Sequence, residues 1–264
     1  QTSRDHKIIL VDLNTHHLYT PLLYEVASAF LQKATPTETF CMRQGVCTDF
    51  SLLQRVTALR SIGFIHSEVT KIDTTKQEVY LGKTKISYAF LVVALGAVTE
   101  DFGIRGIKKY GHFFKTMADA TAIHARVNEL LLQHCKGQEK TVTVVIGGGG
   151  PTGVEFAAEI SSFCMRACAK YNLSFKNFKV TVIEAGSRLL GVSHPKVSAW
   201  AKERLLHMGV DVWLDTCVKE VKKGSVVIAP RPLREGENAD ALLCDFREER
   251  EKKFEADIFI WSGG

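Results

Sequence analysis

Two hydrophobic periods alternate along the chain, and the switches between them mark its elements. Residues 7–12, KIILVD, are an unbroken apolar run closed by an acid, the pattern of a strand buried on both faces of a parallel sheet. Thr20 can cap the free amides of a first turn and Pro21 suits the first helical position, so a largely buried helix is expected over residues 21–32. Short alternating segments around residues 69–72, 78–81 and 86–90, separated by turn-forming pairs at 73–74 and 82–83, predict an antiparallel meander. Residues 90–95 then read as a second buried strand ending at Gly96, and Gly103, Gly106 and Gly111 punctuate the connection that follows.

The second half repeats this plan. Thr116 and Asp119 have the spacing of a capping box, which opens a helix to about residue 133 with Ile123, Val127, Leu130 and Leu131 on one face. A strand at 141–146, a glycine-rich turn, a long helix at 152–170 and a strand at 179–184 follow in the order of a dinucleotide-binding unit. A helix at 196–208 is stopped by Gly209 before an alternating strand at 210–214. A further meander runs to residue 254, and a last apolar strand at 256–261 ends in two glycines, as residues 90–96 end in one. The echo predicts two domains of one architecture, residues 1–107 and 108–264, in an α/β fold of Rossmann-like three-layer type with antiparallel β-meanders.

Composition narrows the function classes. The 264 residues can bury a substantial core. The net charge of +5 is spread along the chain, with no basic block interleaved with aromatics of the kind that binds nucleic acid. The longest apolar stretch, residues 89–98, is far below the roughly 20 needed to span a bilayer, so these residues are expected to be soluble. Seven cysteines without paired CxxC units exclude a zinc ribbon and suggest a reducing compartment, and no metal site is expected. Cys41 and Cys47 have a wider spacing than a redox pair in a glycine-rich helix start, and Cys164 and Cys168 fall on the apolar stripe of Phe156, Ile160, Phe163, Ala167 and Tyr171; all four read as structural thiols.

One motif carries chemistry. Gly148, Gly150 and Gly153 satisfy GxGxxG, with Pro151 and Thr152 between the last two and Gly147 extending the glycine run, directly after a strand and before a helix. The first glycine permits the turn, the second lets backbone approach a pyrophosphate, and the third lets helix and strand pack closely. The phosphates then meet the helix N-terminus, whose free amides and dipole favour an anion. Glu184, closing the next strand, can accept hydrogen bonds from the adenosine ribose and repel the extra phosphate of NADPH. Asp12 holds the matching position in the first half, where it is either a second ribose ligand or simply an acid at an exposed strand end. The strand, turn and helix that should precede it are not among residues 1–6, so a partial FAD-binding domain and a complete NAD-binding domain are expected.

Five segments in order, VDLNTHHLYTPLLYEVASA (11–29), YAFLVVALGAVTEDFGIRGI (88–107), VVIGGGGPTGVEFAAE (144–159), VTVIEAGSRLL (180–190) and ADIFIWSGG (256–264), resemble the type II NADH dehydrogenases, single-subunit NADH:quinone oxidoreductases. That resemblance implies FAD and NAD as cofactors, with hydride passing from NADH to flavin and on to a quinone. It assigns Asp12 to the FAD ribose, Thr20 and Gly96 to the neighbourhood of the flavin and its phosphates, and Val69 to the adenine. Ala94 belongs with Gly96, in an Ala-Leu-Gly that stands where the family has Ala-Thr-Gly. It places Gly148 to Glu184 on NADH, Glu155 near the nicotinamide and flavin rings, and Gly264 beside the dinucleotide. For the whole enzyme it implies a peripheral place on the inner face of an energy-transducing membrane, reached through a C-terminal segment beyond residue 264, with these residues on the cytoplasmic or matrix side; it leaves a homodimer open. A related reductase with a ferredoxin, sulfide or disulfide acceptor, and a non-catalytic NADH-binding or redox-sensing module, stay open as alternatives.

Overall fold

A computed structural model describes residues 7–28, 47–49, 62–135, 140–232 and 251–263. The chain divides into two compact units, one of Gln1–Thr20 with Thr37–Ala97 and the other of Pro21–Pro36 with Val98–Gly264. No helix of the described residues is long and apolar enough to cross a membrane.

In the first unit, β1 (Ile8–Asp12) runs parallel to β4 (Ile62–His66), which sets Asp12 opposite His66. Strands β2 (His16–Leu18) and β3 (Cys47–Asp49) form an antiparallel pair. The expected meander is present as β5 (Lys71–Asp73), β6 (Glu78–Leu81) and β7 (Thr84–Ser87). Its turns sit at Gln77 and Gly82, both with positive φ.

The apolar run at residues 90–95 does not form the buried strand its sequence suggests. Residues 91–95 belong to none of the strands, and the run is open to solvent, with Phe90 82%, Val92 86% and Leu95 81% exposed. An apolar run becomes a strand only where a neighbour meets its amides and carbonyls. Among the described residues the parallel sheet of this unit consists of β1 and β4 alone.

The second unit is built on a five-stranded parallel sheet in the order β11-β10-β9-β15-β8. Its strands are β8 (His112–Phe113), β9 (Val142–Gly147), β10 (Phe178–Ile183), β11 (Val210–Trp213) and β15 (Ile258–Trp261). An antiparallel sheet of β12 (Thr216–Lys222), β13 (Ser225–Pro230) and β14 (Lys252–Glu255) packs on one face, where Val145, Ile183, Val226, Ile228 and Phe259 form a common core. This makes three layers of helix, parallel sheet and antiparallel sheet, the α/β architecture expected from the sequence.

Helices form the remaining layer. The first contact segment, a 3-10 turn at Thr20–Leu22 followed by α1 (Leu23–Ala27), starts tighter than an α-helix and is closed at Ser28, whose amide bonds Tyr24 O; residues 29–32 of the expected helix lie outside the described residues. The helix α2 (Ile107–Tyr110) follows Gly106, whose φ of 75° suits glycine and whose Cβ would strike the Val221 carbonyl. The helix α3 (Met117–Cys135) opens on the reciprocal capping box: Asp119 N donates to Thr116 Oγ1 at 3.1 Å and Thr116 N donates to Asp119 Oδ2 at 2.7 Å. Leu23, Val26 and Ala27 of α1 are buried, and α1 packs on α3 and on α4 (Pro151–Tyr171). Ser28 Oγ also donates to Glu159 Oε1 at 3.1 Å, and Arg166 holds the same oxygen at 2.8 Å.

On α4 the buried stripe is Phe156, Ile160, Phe163, Cys164, Ala167 and Cys168, while Tyr171 departs from it and is exposed. The helix reaches its C-cap at Asn172, one residue later, in the left-handed conformation. Burial drives the Cys164 thiol up to about 12 and also raises Cys168, as expected of packing groups. Cys47 is buried on β3; Cys41 lies outside the described residues. The helix α5 (Pro195–His207) ends at Gly209, whose φ is 75°.

Candidate functional site

The chain winds from β9 through α4 to β10 and through α5 to β11, then returns by way of the antiparallel sheet to β15 on the other side of β9. Strand order therefore reverses between β9 and β15, and a crevice at the carboxyl ends of these strands is where open α/β sheets hold ligands. The glycine turn leaves β9 at this point.

Each glycine of the turn answers to a different neighbour. Gly147 stands opposite Trp261 in the β9–β15 register, so the smallest residue faces the largest, and a Cβ would come within 2.6 Å of the indole. Gly148 has φ of 110° and donates to Ile183 O at 2.8 Å. A Cβ on Gly149 would press on Glu184 and on Leu189, and one on Gly153 would overlap the Gly148 carbonyl oxygen and lie 2.6 Å from Ser262 Oγ. Gly150 differs from all of these. Its φ of −72° and ψ of −177° are open to any residue, and a Cβ there would meet nothing within 4 Å. The protein itself has no need of a glycine at 150, whereas a ligand seated against the turn would.

Beyond it, α4 begins with Pro151, which has no amide to lose, and no side chain caps Gly150. The first intrahelical bond is Val154 N to Gly150 O at 3.0 Å, which leaves the amides of Thr152 and Gly153 ahead of it for an anion. Glu155, one residue past the first intrahelical donor, is exposed.

Glu184, just past β10, closes the site. Its carboxylate accepts from Gly149 N through Oε2 and from Gly186 N through Oε1 at 2.6 Å. An ionised carboxylate has about four acceptor positions, so each oxygen keeps one for a ribose hydroxyl. The loop that follows is fastened to the turn by Leu190 N donating to Gly149 O at 2.8 Å, with Leu190 itself at φ 50°. The guanidinium of Arg188 donates to Ser193 O at 2.7 Å and to Gly191 O, so backbone carbonyls occupy it.

Gly148, Gly150, Pro151, Thr152, Gly153 and Glu184 thus meet around one turn. Sequence reasoning did not single out Gly149, Gly186 or Ser262. Gly149 was concealed in the glycine run, and Gly186 lies two residues past the acid it serves. Ser262 Oγ lies 3.1 Å from both Gly147 O and Gly148 O and ties the end of β15 to the turn. Its only signal was the parallel between the two strand endings.

In the first unit, Asp12 Oδ1 accepts from Asn14 N at 2.8 Å and from Asn14 Nδ2 at 3.2 Å, a local turn that occupies one carboxylate oxygen. The β1–β4 pairing, continued by Ser67 N donating to Asp12 O at 3.0 Å, brings Val69 to the same end of the sheet as Asp12. Thr20, Ala94 and Gly96 are exposed, Gly96 with φ of 72°. Gly264 lies outside the described residues.

Among known proteins, the chain is 26% identical over 206 residues to the type II NADH:quinone oxidoreductase of Staphylococcus saprophyticus, covering 77% of this chain and 47% of that one. The chain therefore spans about half the length of this relative. Its fold is shared with NDH2 from Plasmodium falciparum, solved in complex with NADH (TM-score 0.76, 23% identity, 99% of this chain and 51% of that one). It is shared also with the sulfide:quinone oxidoreductase of Aquifex aeolicus (TM-score 0.71, 17% identity, 97% and 52%). The family model described as pyridine nucleotide-disulphide oxidoreductase matches residues 1–264. Because that match spans both units rather than the glycine motif alone, the chain belongs to the pyridine nucleotide-disulphide oxidoreductase family.

Proposed function

We propose that the chain is the nucleotide-binding part of an FAD-dependent NADH:quinone oxidoreductase. The observation that carries this is the Glu184 carboxylate bridging the amides of Gly149 and Gly186 beside an uncapped helix start, at the point where strand order reverses. The cofactors, when bound, supply the redox chemistry, hydride passing from NADH to flavin and the electrons on to the quinone. The protein's part is to bind and orient. Thr152 and Gly153 offer amides to the pyrophosphate, Gly150 leaves it room, and Glu184 takes the adenosine ribose. Glu155, on the exposed face of α4, is the candidate neighbour of the reacting rings. In the first unit Asp12, with one oxygen still open to a ribose, and Val69 beyond β4 are the candidate FAD contacts, joined by Thr20, Ala94 and Gly96.

The quinone as acceptor rests on the names of the relatives. A disulfide acceptor would call for a redox pair of reactive thiols, whereas Cys164 and Cys168, spaced four apart on α4, are buried with raised pKa values. A lipid-soluble acceptor would place the whole protein at a membrane surface. Calorimetric titration with NADH tests the nucleotide site: saturable binding lost on Gly150→Val is the expected result, and unchanged affinity in a folded variant would put the site elsewhere. For the acceptor, the whole protein should oxidise NADH with a soluble quinone and fail with a disulfide.

A further inference from the structure

Glu184 is not held by its own strand alone. The chain leaves β11 at Trp213 and enters β12 at Thr216, and this short crossover grips the acid from both sides. Glu184 N donates to Trp213 O at 2.8 Å, and Thr216 N donates to Glu184 O at 3.0 Å. Between them Asp215 N donates to Gly186 O at 3.0 Å, and Gly186 N is one of the two donors to the Glu184 carboxylate.

Asp215 has φ of 51°, in the left-handed region, which Asp tolerates better than most residues with a side chain and which is fixed here by its partners. What holds it is Arg231, at the end of β13. Arg231 Nε donates to Asp215 Oδ1 at 2.7 Å, and Arg231 N donates to Asp215 O at 2.9 Å. The Arg231 side chain is only 8% exposed, and its Nη1 also donates to Pro232 O at 3.1 Å. A buried guanidinium is costly unless paired, so the ion pair and the turn conformation depend on each other.

We propose that Arg231 and Asp215 are a positioning pair that sets the nucleotide preference of the site by fixing the Glu184 carboxylate against the adenosine ribose. This rests on the nucleotide site proposed above. Neither residue touches the nucleotide. The pair acts through Gly186 and the Glu184 backbone, and without it the carboxylate loses its fixed place beside Gly149. The ribose diol of NADH then loses two aligned acceptors, while NADPH, already opposed by the Glu184 charge, loses less. Arg188 is tied to its own loop, donating to the carbonyls of Gly191 and Ser193, and takes no part in holding Glu184.

The test is calorimetric titration of the chain with NADH and separately with NADPH, together with amide exchange at Gly149 and Gly186 in the absence of nucleotide. Arg231→Met, which keeps the stem and removes the charge, should weaken NADH about tenfold, weaken NADPH less, and speed exchange at both glycines. Asp215→Asn, which tolerates the left-handed conformation but leaves the buried Arg231 guanidinium without its counter-charge, should shift both measurements in the same direction as Arg231→Met. A folded Arg231→Met with the wild-type NADH to NADPH ratio and wild-type exchange overturns the proposal. Should that variant not fold, Asp215→Asn decides on the same two measurements: a narrowed preference with faster exchange supports the pair, and unchanged values overturn it. Wild-type protein that binds neither nucleotide overturns the proposed site itself, whereas binding that ignores these variants overturns only the positioning pair.

Discussion

Replacing Gly150 and Gly153 by alanine, one at a time, separates what the fold requires of the glycine turn from what a ligand requires. A Cβ on Gly153 would overlap the Gly148 carbonyl oxygen, with the carbonyl carbon at 3.1 Å and Ser262 Oγ at 2.6 Å. Carbon contacts settle near about 3.5 Å, so α4 and the turn would have to part by roughly 1 Å, and backbone atoms cannot swing aside. Overpacking of this kind costs about 1–3 kcal/mol, and contact with backbone puts it at the upper end. Against that, alanine in a helix gains about 1 kcal/mol over glycine. The net loss of about 2 kcal/mol corresponds to a Tm lower by about 4–8 °C at this size. At Gly150 a Cβ meets nothing within 4 Å and the backbone conformation suits alanine, so stability should stay within about 0.5 kcal/mol. The methyl would instead occupy the space in front of the helix start, and NADH affinity should fall by at least about tenfold, ~1.4 kcal/mol. Differential scanning calorimetry and NADH titration on both variants read the two effects. A Gly153→Ala protein as stable as wild type would refute the packing account, and Gly150→Ala with full NADH affinity would refute the placement of the pyrophosphate.

Glu184→Gln keeps one acceptor oxygen and sets an amide NH2 against one of the two backbone donors, Gly149 or Gly186, so the preference for NADH over NADPH should shrink and stability should fall by about 1.5–3 kcal/mol. Equal preference in wild type and variant, measured by calorimetry, would remove the acid from cofactor selection. In native protein at pH 8, iodoacetamide should label the exposed Cys135 and spare Cys164, whose thiol burial drives up to about 12; rapid labelling of Cys164 in a mass-spectrometric time course would contradict its burial. Burial lowers His124 below its ordinary 6.5, against a smaller opposing pull from the Ala27 carbonyl. The unfolded chain therefore binds more protons just below pH 6.5, and stability should be full above that pH and decline as pH falls toward the lowered value. Burial lowers His112 as well, so a His124→Gln variant should flatten the Tm profile between pH 7.5 and 5.5 only in part, and an identical slope would assign the effect elsewhere.

What could be read from the sequence was local. The β9–turn–α4–β10 order is set by residues adjacent in the chain: an apolar run, glycines that permit the turn, and a helix stripe of period 3.6. The Thr116–Asp119 box is likewise complete within four residues, and the structure forms both of its hydrogen bonds. Residues 90–95 have the same apolar character as β9, yet they form no strand, because a strand exists only through hydrogen bonds to a neighbour that its own sequence does not specify. The two-residue β8 is the converse case, too short for any periodicity and made a strand by pairing with β15. Nothing in the sequence distinguished Gly147 and Gly149 within the glycine run; the fold sets Trp261 against the first by the β9–β15 register and Glu184 and Leu189 against the second. Glu184 was recognisable as a site acid from its place at the end of β10. Its support by Asp215 and Arg231 was not, because that depends on the crossover from β11 to β12 and on the end of β13 reaching the same point, contacts that only the folded chain brings together.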